Sequence, residues 1–305
     1  MTEALQTWID FPLLQNTIDQ CQRLFHGRGH AYQGWEHINI DWLPPVVLIT
    51  VYKEESKERL LDIADQLKVN IPASRSVQVQ YRCRAKAPIE LLLGDEVTET
   101  VTEELGLKYH IQLGQAQNIG LFLDIRNGRE WVKQHSHNRR VLNLFAYTCA
   151  FSVAAIAGGA SHVVNVDNNK GVLSRGRENH RLNSQDTKRV TFEGVNIFNS
   201  YSRIKKYAPY DLMICDPPSY QKGSVDIKRD YKKIISRIPQ WMNPGSELVL
   251  CLNSPELTEQ FLFDLVDEEC PDCKFIKSIK PPVVFEEAEP GKGLKVLIYR
   301  YLPTA

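Results

Sequence analysis

From about residue 116 the chain alternates apolar strand and amphipathic helix, and few architectures accept that rhythm. Strand patterns occur at 140–144, 162–166, 189–193, 210–215, 246–252, 274–279 and 293–301. Helical stretches lie between most of them, for instance 169–182, 227–240 and 256–267. Short apolar strands separated by helices predict a parallel sheet covered on both faces. The last strand follows another strand through a long loop, Pro281 to Lys292, which suits an antiparallel final strand. Open α/β sheets bind ligands beyond the carboxyl ends of their strands, so functional residues are sought immediately after each strand.

The residues before this region read differently. Leu13, Leu14, Ile18, Cys21 and Leu24 predict a helix over 11–26, stopped by Gly27-Arg28-Gly29. A strand from Val46 to Tyr52, a helix over 55–68 and an alternating strand from Val77 to Cys83 form a β-α-β unit. A hairpin about Gly106 follows, with strands at 97–102 and 107–113. The reading is a smaller α+β domain over 1–113 and an α/β domain over 114–305. Asp10 and Asp19 argue against a secretion signal at the start. No run of about 18 apolar residues exists to span a bilayer. Seven cysteines, an odd number at irregular spacing, read as reduced thiols of a cytoplasmic protein. Cys270 and Cys273 form one Cys-x-x-Cys without a second pair at zinc-site spacing. A zinc or redox role and two plain loop cysteines both stay open. Basic and acidic residues balance at 37 each, which counts against a dedicated nucleic-acid binder but leaves room for a local basic face.

The strand ends carry the chemistry. Beyond the first lies Phe145-Ala146-Tyr147-Thr148-Cys149-Ala150. The fingerprint Gly-x-Gly-x-x-Gly is absent, yet Ala146, Cys149 and Ala150 are small enough for a ligand to approach the backbone. A plain strand-to-helix loop is the alternative. Asp167 closes the second strand, near the spacing of roughly 20 residues expected of a ribose-binding carboxylate. It could instead cap the helix starting at Asn169. Asn196, after the third strand, offers an amide oxygen to an adenine amino group or to a helix cap. The fourth strand ends in Asp216-Pro217-Pro218-Ser219-Tyr220. Its prolines fix the backbone and remove two donors, leaving carbonyls to face a ligand. Asp216 adds an acceptor, and Tyr220 a flat face on which a base stacks, worth roughly 1–3 kcal/mol. A proline-rich turn with a surface tyrosine is the alternative.

Taken together, several stretches resemble the catalytic domain of the bacterial 23S rRNA methyltransferases of the RlmI and RlmK/L group. They are Gly120 to Arg126, Val141 to Ser152, Gly158 to Asp167, Glu178-Asn179-His180-Arg181-Leu182-Asn183, and Asp216 to Tyr220. No clear match to a PUA or THUMP domain is present. The resemblance implies a Rossmann-like class I methyltransferase fold, with seven strands and the last antiparallel, and S-adenosylmethionine as cofactor. Carried over by position, Phe145, Tyr147 and Thr148 line the methionine and ribose side. Asp167 and Asn168 hold the ribose, Asn196 faces adenine, and Asp216 with Pro217 lies beside the methyl group. Gln117, Phe122, Asp124 and Arg126 close over the cofactor. Cys149-Ala150 stands where many members carry a glycine pair, a pair the RlmK branch also lacks. Asn196 stands where Asp is usual.

The implied substrate is a nucleobase in RNA, with 23S rRNA or a pre-ribosomal particle as partner. Cytosine C5 is a poor nucleophile and needs a cysteine to attack C6 first. Asn253 occupies the place of that cysteine in cytosine-methylating relatives. Cys251, two residues earlier, is a fallback nucleophile or a small core residue. Guanine N7 needs orientation only, and an amine needs acceptors such as Asp216 and a proline carbonyl, so the residues lean to nitrogen. A nucleotide-dependent oxidoreductase is disfavoured by the missing glycines. A non-catalytic RNA-binding protein retaining the fold is a further alternative. Lys222, Lys228, Arg229, Lys232, Lys233 and Arg237 form either a path for RNA phosphates or a solvated face opposite Tyr231, Ile234, Ile235 and Ile238. Arg75, Arg82, Arg84 and Lys86 give a second, weaker cluster.

Overall fold

A computed structural model describes residues 7–218, 220–221 and 225–304. It divides into two units: the chain up to Asp124 together with Val283–Glu289, and Ile125–Pro282 together with the chain from Pro290 on.

In the first unit the predicted helix over 11–26 is cut short. Asp10 caps α1 (Phe11–Gln15), which carries Pro12 in its first turn. Gln22–His26 is instead β1, paired antiparallel with β2 (Ile38–Leu43). The helical spacing of Cys21, Leu24 and Phe25 is reproduced by a bulge between Arg23 and Phe25, which turns successive apolar side chains to one side. Sheet pairing has overridden local periodicity. The β-α-β unit is present: β3 (Val46–Val51), α2 (Lys57–Asn70) and β4 (Ser76–Tyr81), with β3 parallel to β4. Adding β5 (Ile89–Gly94) gives the order β1-β2-β3-β4-β5. One sheet face is apolar and packs Ile40, Val47, Ile49 and Val79 against Leu60, Ile63 and Leu67 of α2. The other face carries Asn39, Asp41, Thr50, Gln78 and Gln80, all buried. These polar groups find partners: Arg23 pairs with Asp41, and Gln78 donates to the Val97 carbonyl. The hairpin is β6 (Glu99–Glu104) with β7 (Leu107–Gln112).

The second unit begins with α3 (Arg126–His135). Alternating β8 (Arg140–Leu144), α4 (Ala150–Ala157), β9 (His162–Asp167), α5 (Lys170–Leu182), β10 (Val190–Gly194), α6 (Tyr201–Lys205) and β11 (Tyr210–Cys215) follow. A short antiparallel ladder pairs β12 (Tyr220–Gln221) with β13 (Val225–Asp226). Then come α7 (Ile227–Ile235), α8 (Ile238–Trp241), β14 (Met242–Leu252), α9 (Glu259–Glu269), β15 (Cys273–Ile279) and β16 (Lys295–Tyr301). The helix read over 227–240 is two helices, because Pro239 falls in the first turn of α8 and cannot continue α7's hydrogen bonds. The seven strands run β10-β9-β8-β11-β14-β16-β15. The first five pair in parallel, and β16 is antiparallel to both neighbours. Both faces are covered. Leu142, Leu144, Met213, Leu250 and Leu252 meet Tyr231, Ile234, Ile235 and Trp241. Val141, Leu212, Ile214, Val249 and Cys251 meet Trp131, Val132, Phe151 and Ile156. Cys270 and Cys273 are buried, with Sγ atoms 3.4 Å apart. No helix among the described residues is long and apolar enough to cross a membrane.

Candidate active site

Register aligns the carboxyl ends of the parallel strands. Leu144 pairs with Val166, Cys215 with Leu144, Gly194 with Asp167 and Cys215 with Leu250. Phe145, Asp167 and Asp216 therefore leave one edge of the sheet, with Asn196 two residues past Gly194. The strand order reverses between β8 and β11, where open α/β sheets place their ligands.

The loop after β8 is strained. Phe145, Tyr147 and Cys149 take φ of 56°, 46° and 62°, conformations that cost a side-chain-bearing residue about 1–2 kcal/mol each. Cys149 holds its place by packing: it is fully buried, and a Cβ on Gly176 of α5 would lie 2.4 Å from its sulfur. The amide of Asn179 donates to the Thr148 carbonyl at 3.0 Å. Beneath the loop runs a buried hydrogen-bond chain. Asn143 donates to Asn165 (2.8 Å), and Asn165 to the Ser152 hydroxyl (2.9 Å). The Ser152 hydroxyl contacts His180 Nε2 at 2.9 Å. Gln185 donates to the Val153 carbonyl, so its oxygen faces His180 Nδ1 at 2.6 Å and Nδ1 carries the proton. Nε2 is then an acceptor, and burial brings the His180 pKa down to about 4.

Asp167 is held from two sides. The Tyr147 N–H donates to Oδ2 and the Asn169 N–H to Oδ1, both at 2.9 Å. Burial pushes its carboxyl up from the ordinary value, against the backbone N–H groups of Asn169, Tyr147 and Asn168, which lower it. The helix cap is supplied by Asn169, whose side chain accepts from Gly171 and Val172. Asn196 does cap: its oxygen accepts from the Phe198 N–H at 2.9 Å. The ring of Phe198 lies 6.3 Å from that of Phe145.

Asp216 and Pro217 follow β11 directly, Pro217 buried and Asp216 partly so. A buried hydroxyl fixes this end. Tyr231 Oη of α7 lies 3.2 Å from the Cys215 carbonyl and 3.1 Å from the Cys251 carbonyl, tying the ends of β11 and β14 together. The sequence reading placed Tyr231 on the apolar side of α7 and gave it no such task. Lys295 was also passed over: it is buried at the start of β16 and donates to the Ser254 carbonyl at 2.6 Å. A lysine directly before the apolar run Val296 to Tyr299 was the available signal. The side chain of Tyr220, and Lys222, lie outside the described residues. Gln117, Phe122 and Asp124 belong to the first unit, where the Gln117 carbonyl accepts from Arg82 and Gln80. Arg126 opens α3 of the second unit. Asn168 is exposed beside Asp167.

The basic face of α7 is partly neutralised. Asp230 is buried and accepts from both Arg229 and Lys233 at 2.8 Å, which holds its carboxyl well below the usual range. Lys228 and Lys232 remain as exposed cations of that helix.

Residues 22–300 match the family model of the S-adenosylmethionine-dependent methyltransferases. The chain belongs to this family. Among curated relatives of this methyltransferase, the ribosomal RNA large subunit methyltransferase K/L of Pseudoalteromonas translucida is 30% identical over 211 residues, covering 66% of this chain and 29% of that protein. The ribosomal RNA large subunit methyltransferase I of Aliivibrio fischeri is 29% identical over 209 residues, covering 66% of this chain and 53% of the relative. The chain thus spans well under two thirds of either relative. A solved structure from Streptococcus mutans, described as that of an S-adenosylmethionine-dependent methyltransferase, has the same fold, with a TM-score of 0.84 at 22% identity over 97% of this chain and 81% of that one.

Proposed function

We propose that this methyltransferase acts on a nucleobase of RNA, ribosomal RNA foremost, and delivers the methyl group to nitrogen. The RNA part leans on the kinship with ribosomal RNA methyltransferases K/L and I. The nitrogen part rests on the end of β14. By the family resemblance, exposed Asn253 stands where cytosine-methylating relatives carry cysteine; the Cys251 side chain is wholly buried in the core against α3 and α4. A thiol buried there is poorly placed to attack C6 of a base, which supports the nitrogen reading.

The residues present suit S-adenosylmethionine. Asp167 has its carboxylate oxygens held by backbone N–H groups, Tyr147 on Oδ2 and Asn169 on Oδ1, and a carboxylate has acceptor capacity left for a ribose hydroxyl. The Asn196 oxygen, engaged by Phe198, keeps one for an adenine amino group. Phe145, Tyr147, Thr148 and Asn168 flank these acceptors in sequence and line the same site in this reading. The cofactor supplies an electrophilic methyl on a sulfonium. What the chain then has to do is align an acceptor and exclude water. We assign that to Asp216 and the Pro217 carbonyl, which accept from the amine or orient the ring, and to Tyr220, which stacks on the extruded base.

Mass spectrometry of nucleosides in ribosomal and transfer RNA from a deletion strain and its parent tests this. One N-methylated nucleoside should vanish from ribosomal RNA. Loss of 5-methylcytidine would overturn the nitrogen assignment, and unchanged ribosomal RNA the substrate. In the same terms, Cys251→Ser should retain activity within about threefold, as expected of a near-isosteric change in a core.

A further inference from the structure

The sequence reads Gly27-Arg28-Gly29 as punctuation, yet the structure builds it as a mount for one side chain. Gly27–Gly29 is a single 3-10 turn whose two glycines are buried while Arg28 is exposed. Neither glycine can be replaced. A Cβ on Gly27 would lie 1.9 Å from the Trp35 carbonyl oxygen, and one on Gly29 1.8 Å from that of Glu286. The Arg28 guanidinium lies 4.1 Å from the centre of the Tyr52 ring, and that of Arg82 lies 5.8 Å from the same ring. Two like charges thus converge on one aromatic.

The other arginines of this unit have acceptors. Arg23 pairs with Asp41, Arg59 with Glu55, Arg75 with Asp95, and Arg84 with Glu54 and Glu90. Arg82 donates to the Gln117 carbonyl and to the Asn118 side chain. Arg28 alone has no acceptor for its guanidinium among the described residues. A guanidinium stacked on a tyrosine is pre-oriented, with its N–H edge and outer face left to solvent. That edge fits phosphodiester oxygens bidentately, and that face accepts an unpaired base.

We propose that Arg28, mounted on Tyr52 and reinforced by the charge of Arg82, is an RNA contact that grips one phosphodiester of a single-stranded segment. The assignment rests on the RNA reading of the preceding section. It places sequence-independent grip on the N-terminal unit, where the first unit's other exposed arginines are already spent on carboxylates.

Fluorescence anisotropy with labelled poly-uridine RNA across a salt series tests it. Arg28→Ala should weaken binding roughly three- to tenfold and lower the salt slope by about one. Arg28→Lys should keep the slope but not the full affinity, because it keeps the charge and loses the plane. Arg75→Ala, which removes an arginine already paired with Asp95, should change neither. Thermal melting and S-adenosylmethionine titration of Arg28→Ala should match the parent, since the side chain is exposed. A parent protein that binds no RNA would end the RNA reading itself. A parent that binds RNA, with Arg28→Ala equal to it or Arg75→Ala equally impaired, would end only this site. Inorganic polyphosphate losing as much affinity as RNA on Arg28→Ala would make the site a general anion site and overturn the RNA assignment.

Discussion

Within the proposed cofactor site, Asp167 is a side chain fixed by the backbone around it. Both oxygens take a backbone N–H, so the carboxylate is fixed without any cation beside it. Burial nevertheless raises its pKa, so the charge is retained at some cost that a ribose diol, donating two hydroxyl hydrogen bonds, would offset. Asp167→Ala should remove those acceptors and also orphan the Tyr147 and Asn169 N–H groups. Hydrogen bonds to a charged partner are worth about 1.5–3 kcal/mol, so affinity for S-adenosylmethionine should drop at least tenfold by calorimetry. Binding should also weaken as pH falls through the raised pKa, because the protonated carboxyl can no longer accept from both hydroxyls. Equal affinities for the two proteins would remove Asp167 from the cofactor site. The sequence left Asp167 between ribose contact and helix cap. The structure gives the cap to Asn169, whose side chain accepts from two helix N–H groups.

At the level of elements, α7 ties the core to the sheet edge where we propose the chemistry. Its Tyr231 hydroxyl bridges the carbonyls that end β11 and β14, one residue before Asp216 and two before Asn253. Tyr231→Phe keeps the ring in its packing and deletes that tie. Stability should fall by about 1 kcal/mol, and single-turnover methylation several-fold, with S-adenosylmethionine affinity nearly unchanged. A variant with the parental rate would make the tie purely structural. Such a contact is not legible in sequence, because Tyr231 sits on the apolar stripe with Ile234 and Ile235 and looks like core alone. Strands flanked by helices were legible, since short apolar runs such as Leu212 to Cys215, bounded by Pro209 and Pro217, suit a buried strand better than a helix. The helix read through residue 26 was not, because a bulged edge strand imitates helical spacing over the few residues from Cys21 to Phe25. The polar chain from Asn143 to Gln185 was invisible for another reason: its members are far apart in sequence and meet only once α4 and α5 lie against the sheet.

Over the whole molecule, each unit keeps an enclosed histidine neutral, His26 partly and His180 fully buried, and this shapes its response to acid. His26 in the first unit accepts from Arg23 at Nδ1, and burial with the nearby Arg23 and Arg28 charges takes its pKa down to about 3. His180 in the second is brought to about 4 by burial. An unfolded chain protonates both near pH 6.5, so between that value and the folded pKa the unfolded state binds more protons. Stability therefore declines as pH falls below about 6.5, each histidine costing about 1.4 kcal/mol per pH unit, until its folded pKa is passed. The carboxylates held below their usual values, Glu55, Glu247 and Asp230, add their losses only at lower pH. The span from about pH 7 to pH 5 is governed mainly by the histidines, with Asp167, whose carboxyl burial raises, acting in the opposite direction. Thermal unfolding should move down by several degrees across it. His180→Gln cannot titrate, so it should start lower in stability for the broken hydrogen-bond chain, yet show a shallower fall with acid than the parent. A parent melting temperature that is flat from pH 7 to pH 5 would mean that neither histidine is kept neutral by the fold. A His180→Gln profile parallel to the parent's would leave His26, together with His162 of β9, whose pKa burial also lowers, as the source of the slope.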